Sequence, residues 1–313
     1  MGKFNQKEFK RAAARNAFYF FRAVFFVLPY GAVKAISGFM ISVAFRLVRS
    51  KRKIAKESID IAFGNSISET EKYKIIKECF YNVGRGMIEL LYCADHGEII
   101  DKKIYIEGKD RLEKALKGGK GAILVSAHFG NFPLMLLRLV KEGFATHAIM
   151  RPTRDQVIEK DFATLRSKYG LGTIYSHPRT ACVARSLKAL RNNELLFIPL
   201  DQNFGTKGGV FVKFFGQKAA TATGPAVFAM RTGAPIIPIF TLRDKDGRNK
   251  IIVEEPFFIE TKETDEATIF TCIERLTNVI EVYIRKYPAE WGWMHRRWKT
   301  KPGDFSAAEA EEE

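Results

Sequence analysis

A histidine that directly follows a buried-strand pattern is the first candidate for chemistry in this 313-residue chain. His128 comes after the apolar run GAILVSA and before FGNFP and the helical pattern LMLLRLVKE. A neutral imidazole, with an ordinary pKa of about 6.5, takes a proton from a hydroxyl group when a partner at its other ring nitrogen fixes the tautomer. The position therefore indicates a general base, although a histidine at a strand end is also often structural.

The carboxylate partner of His128 is predicted to come from another strand. Asp201 ends the apolar run ELLFIPL as His128 ends its own run, and parallel strands bring their carboxyl ends to one edge of a sheet. Glu142, the next acid in the helix after His128, lies on the order of 15–20 Å away at the helical rise per residue. Asp201 is therefore the predicted acceptor of the His128 ring N–H; in the alternative interpretation it only caps the turn DQNFG.

The segment FGNFP predicts the start of a helix. Asn131 is a typical N-cap residue, Pro133 then falls in the first turn, where its missing N–H costs little, and Gly143 is a natural C′ residue. Gly130 and Asn131 are predicted to leave room and free N–H groups for a developing oxyanion.

Alternation of short apolar runs with helical stretches predicts an α/β fold, with a mostly parallel central sheet flanked by helices. The runs lie at residues 121–127, 146–150, 172–176, 194–200, 234–240 and 250–255. Because such a sheet places its site at the carboxyl ends of the strands, the residues of interest are His128, Arg151, Ser176, His177 and Asp201.

The N-terminal region predicts association with a membrane surface. Residues 17–48 are rich in Phe, Val and Ile, but Arg22, Lys34 and Arg46 leave uncharged stretches of about 11 residues, and a helix needs about 20 to cross a bilayer. We expect one or two helices in the membrane interface, with basic flanks facing anionic headgroups; the alternative is a helical pair packed on the domain itself. The expected organisation is a membrane-associating segment at 1–53, a catalytic domain at 54–300 and an acidic, disordered tail at 301–313.

The composition limits the classes of partner. A formal net charge of +16 favours nucleic acid, anionic lipid or an acidic protein, and no standard nucleic-acid motif is present, so we predict no nucleic-acid partner. Four scattered cysteines and five histidines without ligand spacing predict a reducing cytoplasmic setting, no disulfide and no metal. The cysteines are Cys79, Cys93, Cys182 and Cys272.

Five motifs in order resemble one branch of the lysophospholipid acyltransferase superfamily, the lipid A biosynthesis (lauroyl/myristoyl) acyltransferases. They are AHFGNFPLM, IMRPTRD followed by LRSKYG, LLFIPLDQNFG, GVFVKFFGQKAATATGPAVFAMRTGAPIIP and WGWMHRRWKTKP, within about residues 30–300. The resemblance implies an enzyme at the cytoplasmic face of the inner membrane that moves a fatty acyl chain to a lipid hydroxyl. Its donor is a thioester of acyl carrier protein or coenzyme A, a co-substrate, and no other cofactor is expected.

The resemblance also implies a carboxylate five residues after the histidine, and this sequence has Pro133 there. The expected acceptor is a lipid A precursor. A glycerolipid or another polar lipid is the alternative acceptor, and an inactive membrane-lipid-binding homologue is the alternative of another class.

Further residues are expected around the substrates. The family places arginines near substrate phosphates, which implies Arg151, Arg154 and Arg166, although the last two are equally compatible with solvated helix charges. A helix that starts at Pro225, with Thr223 or Gly224 as its cap and Gly233 at its end, aims its N-terminus at an anion.

Two aromatic segments have two interpretations each. Phe211, Phe214 and Phe215 either line an acyl channel or belong to a hairpin edge packed on the core. Tryptophan and arginine alternate near the end of the chain, which is typical of a membrane-interface anchor or of a surface that stacks nucleic-acid bases. The resemblance favours the membrane. The residues are Trp291, Trp293, Arg296, Arg297 and Trp298.

Overall fold

Four helices form the N-terminal part of the chain in the computed structural model, which describes residues 2–205 and 208–304. They are α1 (Gly2–Val27), α2 (Tyr30–Leu47), α3 (Arg49–Phe63) and α4 (Glu69–Asp95). Pro29 is extended and separates α1 from α2, and the Ser68 side chain accepts the Glu71 N–H to cap α4. The boundary expected at residue 53 falls inside α3. Of the tail predicted at 301–313, the part from residue 305 onward lies outside the described residues.

A mostly parallel sheet of seven strands forms the centre of the molecule, which confirms the predicted fold class. The strands are β1 (Ile104–Glu107), β2 (Ala122–Ser126), β3 (Thr146–Met150), β4 (Gly172–Tyr175), β5 (Leu195–Pro199), β8 (Ile236–Arg243) and β9 (Asn249–Val253), and β6 (Gly209–Phe214) pairs with β7 (Gln217–Ala222) in a separate antiparallel hairpin. The order in the sheet is β1-β9-β8-β2-β5-β3-β4, and within this seven-stranded sheet, as the structure describes it, only the β8–β9 pair is antiparallel.

Helices cover both faces of this sheet. One face packs against α5 (Ile100–Lys103), α6 (Lys109–Lys117) and α7 (Phe132–Lys141), and the other against α9 (Arg179–Arg191), α10 (Gly224–Thr232) and α11 (Asp265–Lys286). Along β2, Ile123 and Val125 belong to one apolar cluster and Leu124 to the other. Because successive side chains of a strand point to opposite faces, a strand covered on both sides is apolar throughout. Helix α8 (Gln156–Lys168) connects β3 to β4.

The register of β2 and β5 brings the two predicted catalytic residues to the same edge. Ser126 pairs with Pro199, and the Leu200 N–H donates to the Ser126 carbonyl at 2.8 Å. His128 and Asp201 each lie two residues beyond this last pair. We call this side of the sheet, where β2, β3, β4 and β5 end, the carboxyl edge.

A buried glutamate of α4 joins the N-terminal helices to the sheet. Glu89 accepts two hydrogen bonds from Arg243 of β8, at 2.9 and 2.7 Å, and further bonds from Tyr30 and Asn131 at 2.9 and 3.2 Å. Burial alone would raise the pKa of the Glu89 carboxyl, but the Arg243 guanidinium outweighs it and the pKa is lowered. The charge pair therefore ties α2, α4, α7 and β8 together.

Helix α2 has one face on the domain and one face exposed. Among the described residues it is the helix long and apolar enough, by length and composition, to cross a membrane, and only 22% of it is buried. Its inner face meets α4, whereas Phe39 and Leu47 are exposed, as are Phe26 and Val27 of α1. Both the packed and the membrane-facing interpretations thus describe part of the segment, and α2 is a candidate for membrane association.

Replacing Glu89 should destabilise the fold strongly. In Glu89→Ala the Arg243 cation stays buried without its partner, and the free energy of unfolding should fall by about 3–5 kcal/mol. Denaturant unfolding measures this change. Glu78→Ala, at an exposed acid of the same helix, should change stability by less than about 0.5 kcal/mol; equal small effects in both variants would show that the buried pair does not hold the helices to the sheet.

Candidate active site

His128 and Asp201 form a hydrogen-bonded pair at the carboxyl edge. The Nδ1 atom of His128 lies 2.8 Å from Oδ1 of Asp201, so the contact predicted from the strand ends is present. The Asp201 side chain is 3% exposed and that of His128 is 33% exposed. Because the carboxylate accepts the Nδ1–H, the lone pair of Nε2 lies on the accessible side of the ring, where a general base needs it.

The second oxygen of Asp201 is bound by a tryptophan from the end of the chain. The indole N–H of Trp291 donates to Oδ2 at 2.7 Å. Trp291 is held there by backbone pairing with residues 127–131 between β2 and α7, which we call the histidine loop. The Gly292 N–H donates to His128 O at 3.1 Å, and the Gly130 N–H donates to Glu290 O at 2.8 Å. Both oxygens of a buried carboxylate are thus satisfied, and the sequence offered no signal for this role of Trp291 beyond the need of a buried indole for an acceptor.

The charges of the pair stabilise each other. Burial alone would raise the pKa of Asp201, but His128 and the Trp291 N–H lower it to about 2. Burial would also lower the pKa of His128, and the Asp201 carboxylate outweighs this effect, so the pKa of His128 is raised. Asp201 therefore stays ionised while the imidazole gains and loses its proton.

The side chain of Gln202 contacts the outer ring nitrogen of His128. Its Nε2 lies 3.1 Å from Nε2 of His128, and since the ring proton is on Nδ1, the amide donates to the free lone pair. Gln202 is exposed. The sequence analysis missed this residue, whose signal was its place directly after Asp201.

Helix α7 begins as the sequence predicts. The Asn131 side chain accepts the Leu134 N–H at 3.3 Å, and Pro133 lies in the first turn. Gly143, with φ +91°, follows the helix end. Pro133 is thus a helix-start residue. Glu142, at the far end of the helix, forms ion pairs with Lys109 and Arg138.

The N–H of Gly130 is not free, so the predicted oxyanion site does not include it. Its N–H already donates to Glu290 O, and the side chain of Asn131 is committed to Leu134 and Glu89. Gly130 has φ +54°, and a Cβ there would lie 2.0 Å from the Thr241 carbonyl oxygen, so glycine is required by close packing. In the first turn of α7, Pro133 has no N–H and the Leu134 N–H donates to Asn131. The Phe132 N–H is therefore the first-turn group that the cap leaves open.

The three predicted arginines differ in their availability. Arg151 and Arg154 follow β3 and are exposed, and β3 is two strands from β2, about 10 Å at the usual strand spacing. Arg166 is partly buried, donating to Glu159 at 2.5 Å and to Thr173 at 2.9 Å. Arg151 and Arg154 are therefore the cations open to an anionic substrate, while Arg166 is engaged within the fold.

The helix predicted after Thr223 is present, and its start lies at the carboxyl edge, because α10 leads from there to the beginning of β8, which is parallel to β2. The Thr223 hydroxyl donates to Gly208 O at 3.2 Å, and Gly224 is the first helical residue, with Gly233 at the end. The anion expected here stays a prediction.

The family model for the bacterial lipid A biosynthesis acyltransferase matches residues 6–300. The chain belongs to this family. It is 26% identical over 281 residues to the lipid A biosynthesis palmitoleoyltransferase of Escherichia coli K12, covering 88% of this chain and 87% of that protein. It is 25% identical over 285 residues to the lauroyltransferase of the same organism, covering 88% of each chain.

Another relative is named for a different lipid. The phosphatidylinositol mannoside acyltransferase of Mycolicibacterium smegmatis is 25% identical over 212 residues, covering 66% of each chain. As a member of the lipid A acyltransferase family, this protein is an O-acyltransferase that acts on a lipid acceptor. The recognition made from the five motifs is confirmed.

The segment at residues 291–298 of this acyltransferase lies mostly inside the protein and not at a membrane surface. Arg296 is exposed, but Trp291, Trp293, Trp298 and Arg297 are buried, so the prediction of a membrane interface is wrong for these four. The reason is that residues 291–298 pack beneath the β6–β7 hairpin. The Arg297 guanidinium donates there to Ala220 O at 2.6 Å and Gln202 O at 3.2 Å.

Two of the predicted channel residues belong to this aromatic core. Phe214 stacks on Trp298 with ring centroids 5.6 Å apart, and Phe215 contacts Trp293. Both phenylalanines are buried, and Phe211 is half-buried on the hairpin. The structure thus matches the interpretation of a hairpin packed on the core for Phe214 and Phe215, and an acyl channel along Phe211 stays a prediction.

All four cysteines are free and buried. Within residues 2–205 and 208–304, no group of three or more His, Cys, Asp or Glu side chains could hold a metal ion.

Removing the charge of Asp201 should lower the pKa of His128. In Asp201→Asn the amide no longer stabilises the imidazolium, so the neutral ring persists to lower pH. An NMR titration of ¹³C-labelled histidines measures the shift. Glu194→Gln, which alters the other histidine–carboxylate pair, with His147 at 2.7 Å, should leave the His128 titration unchanged; an unshifted His128 in Asp201→Asn would remove Asp201 as its electrostatic partner.

Proposed function

We propose that this protein transfers a fatty acyl chain from a thioester of acyl carrier protein or coenzyme A to a hydroxyl group of a lipid A precursor. His128 is the general base and Asp201 orients it. The observation that supports this assignment best is the 2.8 Å contact between His128 Nδ1 and the buried Asp201 carboxylate, which leaves Nε2 facing outward in a lipid A acyltransferase family member.

The reaction follows from the tautomer of His128. As the acceptor oxygen forms its bond to the thioester carbonyl carbon, its proton moves to Nε2 of the imidazole. The Asp201 carboxylate stabilises the imidazolium, and the Phe132 N–H at the start of α7 stabilises the oxyanion. When the C–S bond breaks, the imidazolium returns the proton to the thiolate, and the products are the ester and the free thiol. No cofactor besides the thioester enters these steps.

Gln202 acts before the reaction. Its amide fills the hydrogen-bonding position at Nε2 in the substrate-free protein, which keeps the imidazole in the reactive tautomer. The acceptor hydroxyl replaces it because both groups donate to the same lone pair.

The exposed cations of the carboxyl edge suit a lipid with an anionic headgroup. Arg151 and Arg154 follow β3, which ends at the same edge of the sheet as β2, and guanidinium groups bind phosphate in a bidentate manner. Relatives are named for lipid A and for phosphatidylinositol mannoside, so a glycerolipid or another polar lipid is the second candidate acceptor. The chemistry at His128 is the same for both.

A membrane position at the cytoplasmic face of the inner membrane accounts for the apolar helices and the charge. The outer faces of α1 and α2 carry exposed Phe, Val and Leu side chains, and the formal charge of +16 favours anionic headgroups. The same charge complements an acidic carrier protein as donor.

Deleting the gene from its own host should give a lipid that lacks one acyl chain, as measured by mass spectrometry of extracted lipids. Complementation with the unaltered gene should restore the chain, whereas His128→Ala should not, because loss of a general base lowers turnover about 10²–10⁴-fold. With purified protein, acyl carrier protein and coenzyme A thioesters identify the donor.

His147→Ala is the matched control, since it removes a histidine from a carboxylate pair at the opposite edge of the sheet. It should complement fully. An unchanged lipid profile after deletion would favour the inactive lipid-binding homologue, and full complementation by a stable His128→Ala protein would exclude His128 as the base.

A further inference from the structure

A cavity lies between α2 and α4, separate from the His128–Asp201 pair. Its volume is about 220 Å³. It is lined by Lys34, Ser37 and Gly38 of α2 and by Tyr81, Arg85 and Ile88 of α4, among others. Glu89 at its inner end reaches Asn131 at the start of α7, so the cavity adjoins the element that carries the histidine loop without containing the loop.

Two contacts between α2 and α4 close the cavity at its ends. At one end, α4 has Gly84, where a Cβ would lie 2.8 Å from Cγ1 of Ile41, so the two helices touch there. At the other end, the Tyr30 hydroxyl donates to Glu89 at 2.9 Å. The space between these contacts is therefore a feature of how the helices cross.

The cavity carries cations that the fold does not neutralise directly. Arg85 is half-buried and donates no hydrogen bond to any residue that the structure describes, and Lys34 is exposed and likewise forms no ion pair within the described part of the chain. Lys103 lies close by, with its Nζ 3.4 Å from the centre of the Tyr30 ring.

The acids that face these cations do not cancel them. Glu89 is already bound by both Arg243 nitrogens. Glu290 is the other carboxyl near Arg85, and burial raises its pKa to about 6, against the lowering effect of Arg243 and Arg85. Around the cavity, positive charges therefore outnumber negative ones: the acids are Glu89 and Glu290, and the cations are Lys34, Arg85, Lys103 and Arg243. A half-buried guanidinium without a partner, such as that of Arg85, is a group that binds phosphate well.

The remaining surface of the cavity is apolar and continues onto the exposed face of α2. Val33 and Ile88 line the cavity, and Ile36 and Phe39 of α2 are exposed beside it. A volume of about 220 Å³ is below the roughly 300–1,000 Å³ of sites that enclose a whole small molecule. The fitting ligand thus has an anionic head inside and an apolar part outside.

We propose that this cavity binds the phosphate headgroup of an anionic membrane lipid, with Arg85 and Lys34 on the phosphate and the acyl chains along the exposed face of α2. The lipid is a bound membrane component and not the acyl acceptor. Its role is to fix α2 and α4 at the membrane surface, next to the carboxyl edge.

Calorimetric titration of the full chain with monomeric dihexanoyl phosphatidic acid tests the site. The unaltered protein should bind this probe at least tenfold more tightly than inorganic phosphate, because the apolar part also contributes. Lys34→Gln with Arg85→Gln should weaken binding of the probe at least tenfold, since two charged donors are lost. Lys188→Gln with Arg191→Gln removes the same charges from the exposed end of α9 and should change binding less than twofold.

A second pair of variants leaves the charge unchanged. A Cβ at Gly38, which lines the cavity, or at Gly31, which does not, would meet no atom within 4 Å, so both helical positions accept a side chain. Gly38→Leu should weaken binding at least fivefold and Gly31→Leu should not. His128→Ala should bind like the unaltered chain, which separates this site from the proposed catalysis.

Three results would overturn the proposal. Equal affinity for phosphatidic acid and inorganic phosphate would indicate a free-phosphate site, and equal weakening by the α9 control would indicate attraction by net charge alone. Unchanged binding in Gly38→Leu would place the ligand outside the cavity.

Discussion

A buried carboxylate that must be fully hydrogen-bonded sets the arrangement of this acyltransferase. Removing one ionised group from water costs several kcal/mol unless partners replace the lost hydration, and Asp201 is almost completely buried. Its two oxygens are taken by His128 Nδ1–H and by the Trp291 indole N–H. Three segments far apart in the chain, after β2, after β5 and at residues 290–292, are thereby forced to meet at one point, and the imidazole is held in a single tautomer.

Other buried polar groups extend this constraint outward. Arg297 holds the carbonyl of Gln202 and so supports the turn that follows Asp201; burial lowers its pKa to about 10, which still leaves it charged near neutral pH. On the opposite side of the histidine loop, Glu89 holds Asn131 while its charge is balanced by Arg243. The loop that carries His128 is therefore fixed from the C-terminal segment on one side and from the N-terminal helices on the other.

Local sequence patterns were sufficient to predict the sheet, the start of α7 and the contact between His128 and Asp201. The reason is that strand ends and N-caps depend on near neighbours and on the parallel order of strands. Local patterns were insufficient for Trp291 and Arg297. Interleaved Trp and Arg look the same whether they face a membrane or fill a core, and the difference here is the β6–β7 hairpin, which covers them. The N–H of Gly130 was equally unpredictable, because its acceptor, Glu290, lies 160 residues away in the sequence.

The most direct test of the pairing is a double-mutant cycle on turnover with His128→Ala and Asp201→Asn. In the unaltered protein, Asp201→Asn should lower kcat/KM by much more than about threefold. If Asp201 acts only through the imidazole, it has nothing left to orient once the ring is gone, so adding Asp201→Asn to His128→Ala should change kcat/KM by less than about threefold. A loss caused by Asp201→Asn that is equally large with and without His128 would contradict a catalytic pair and would assign Asp201 a separate role in holding the fold or the substrate.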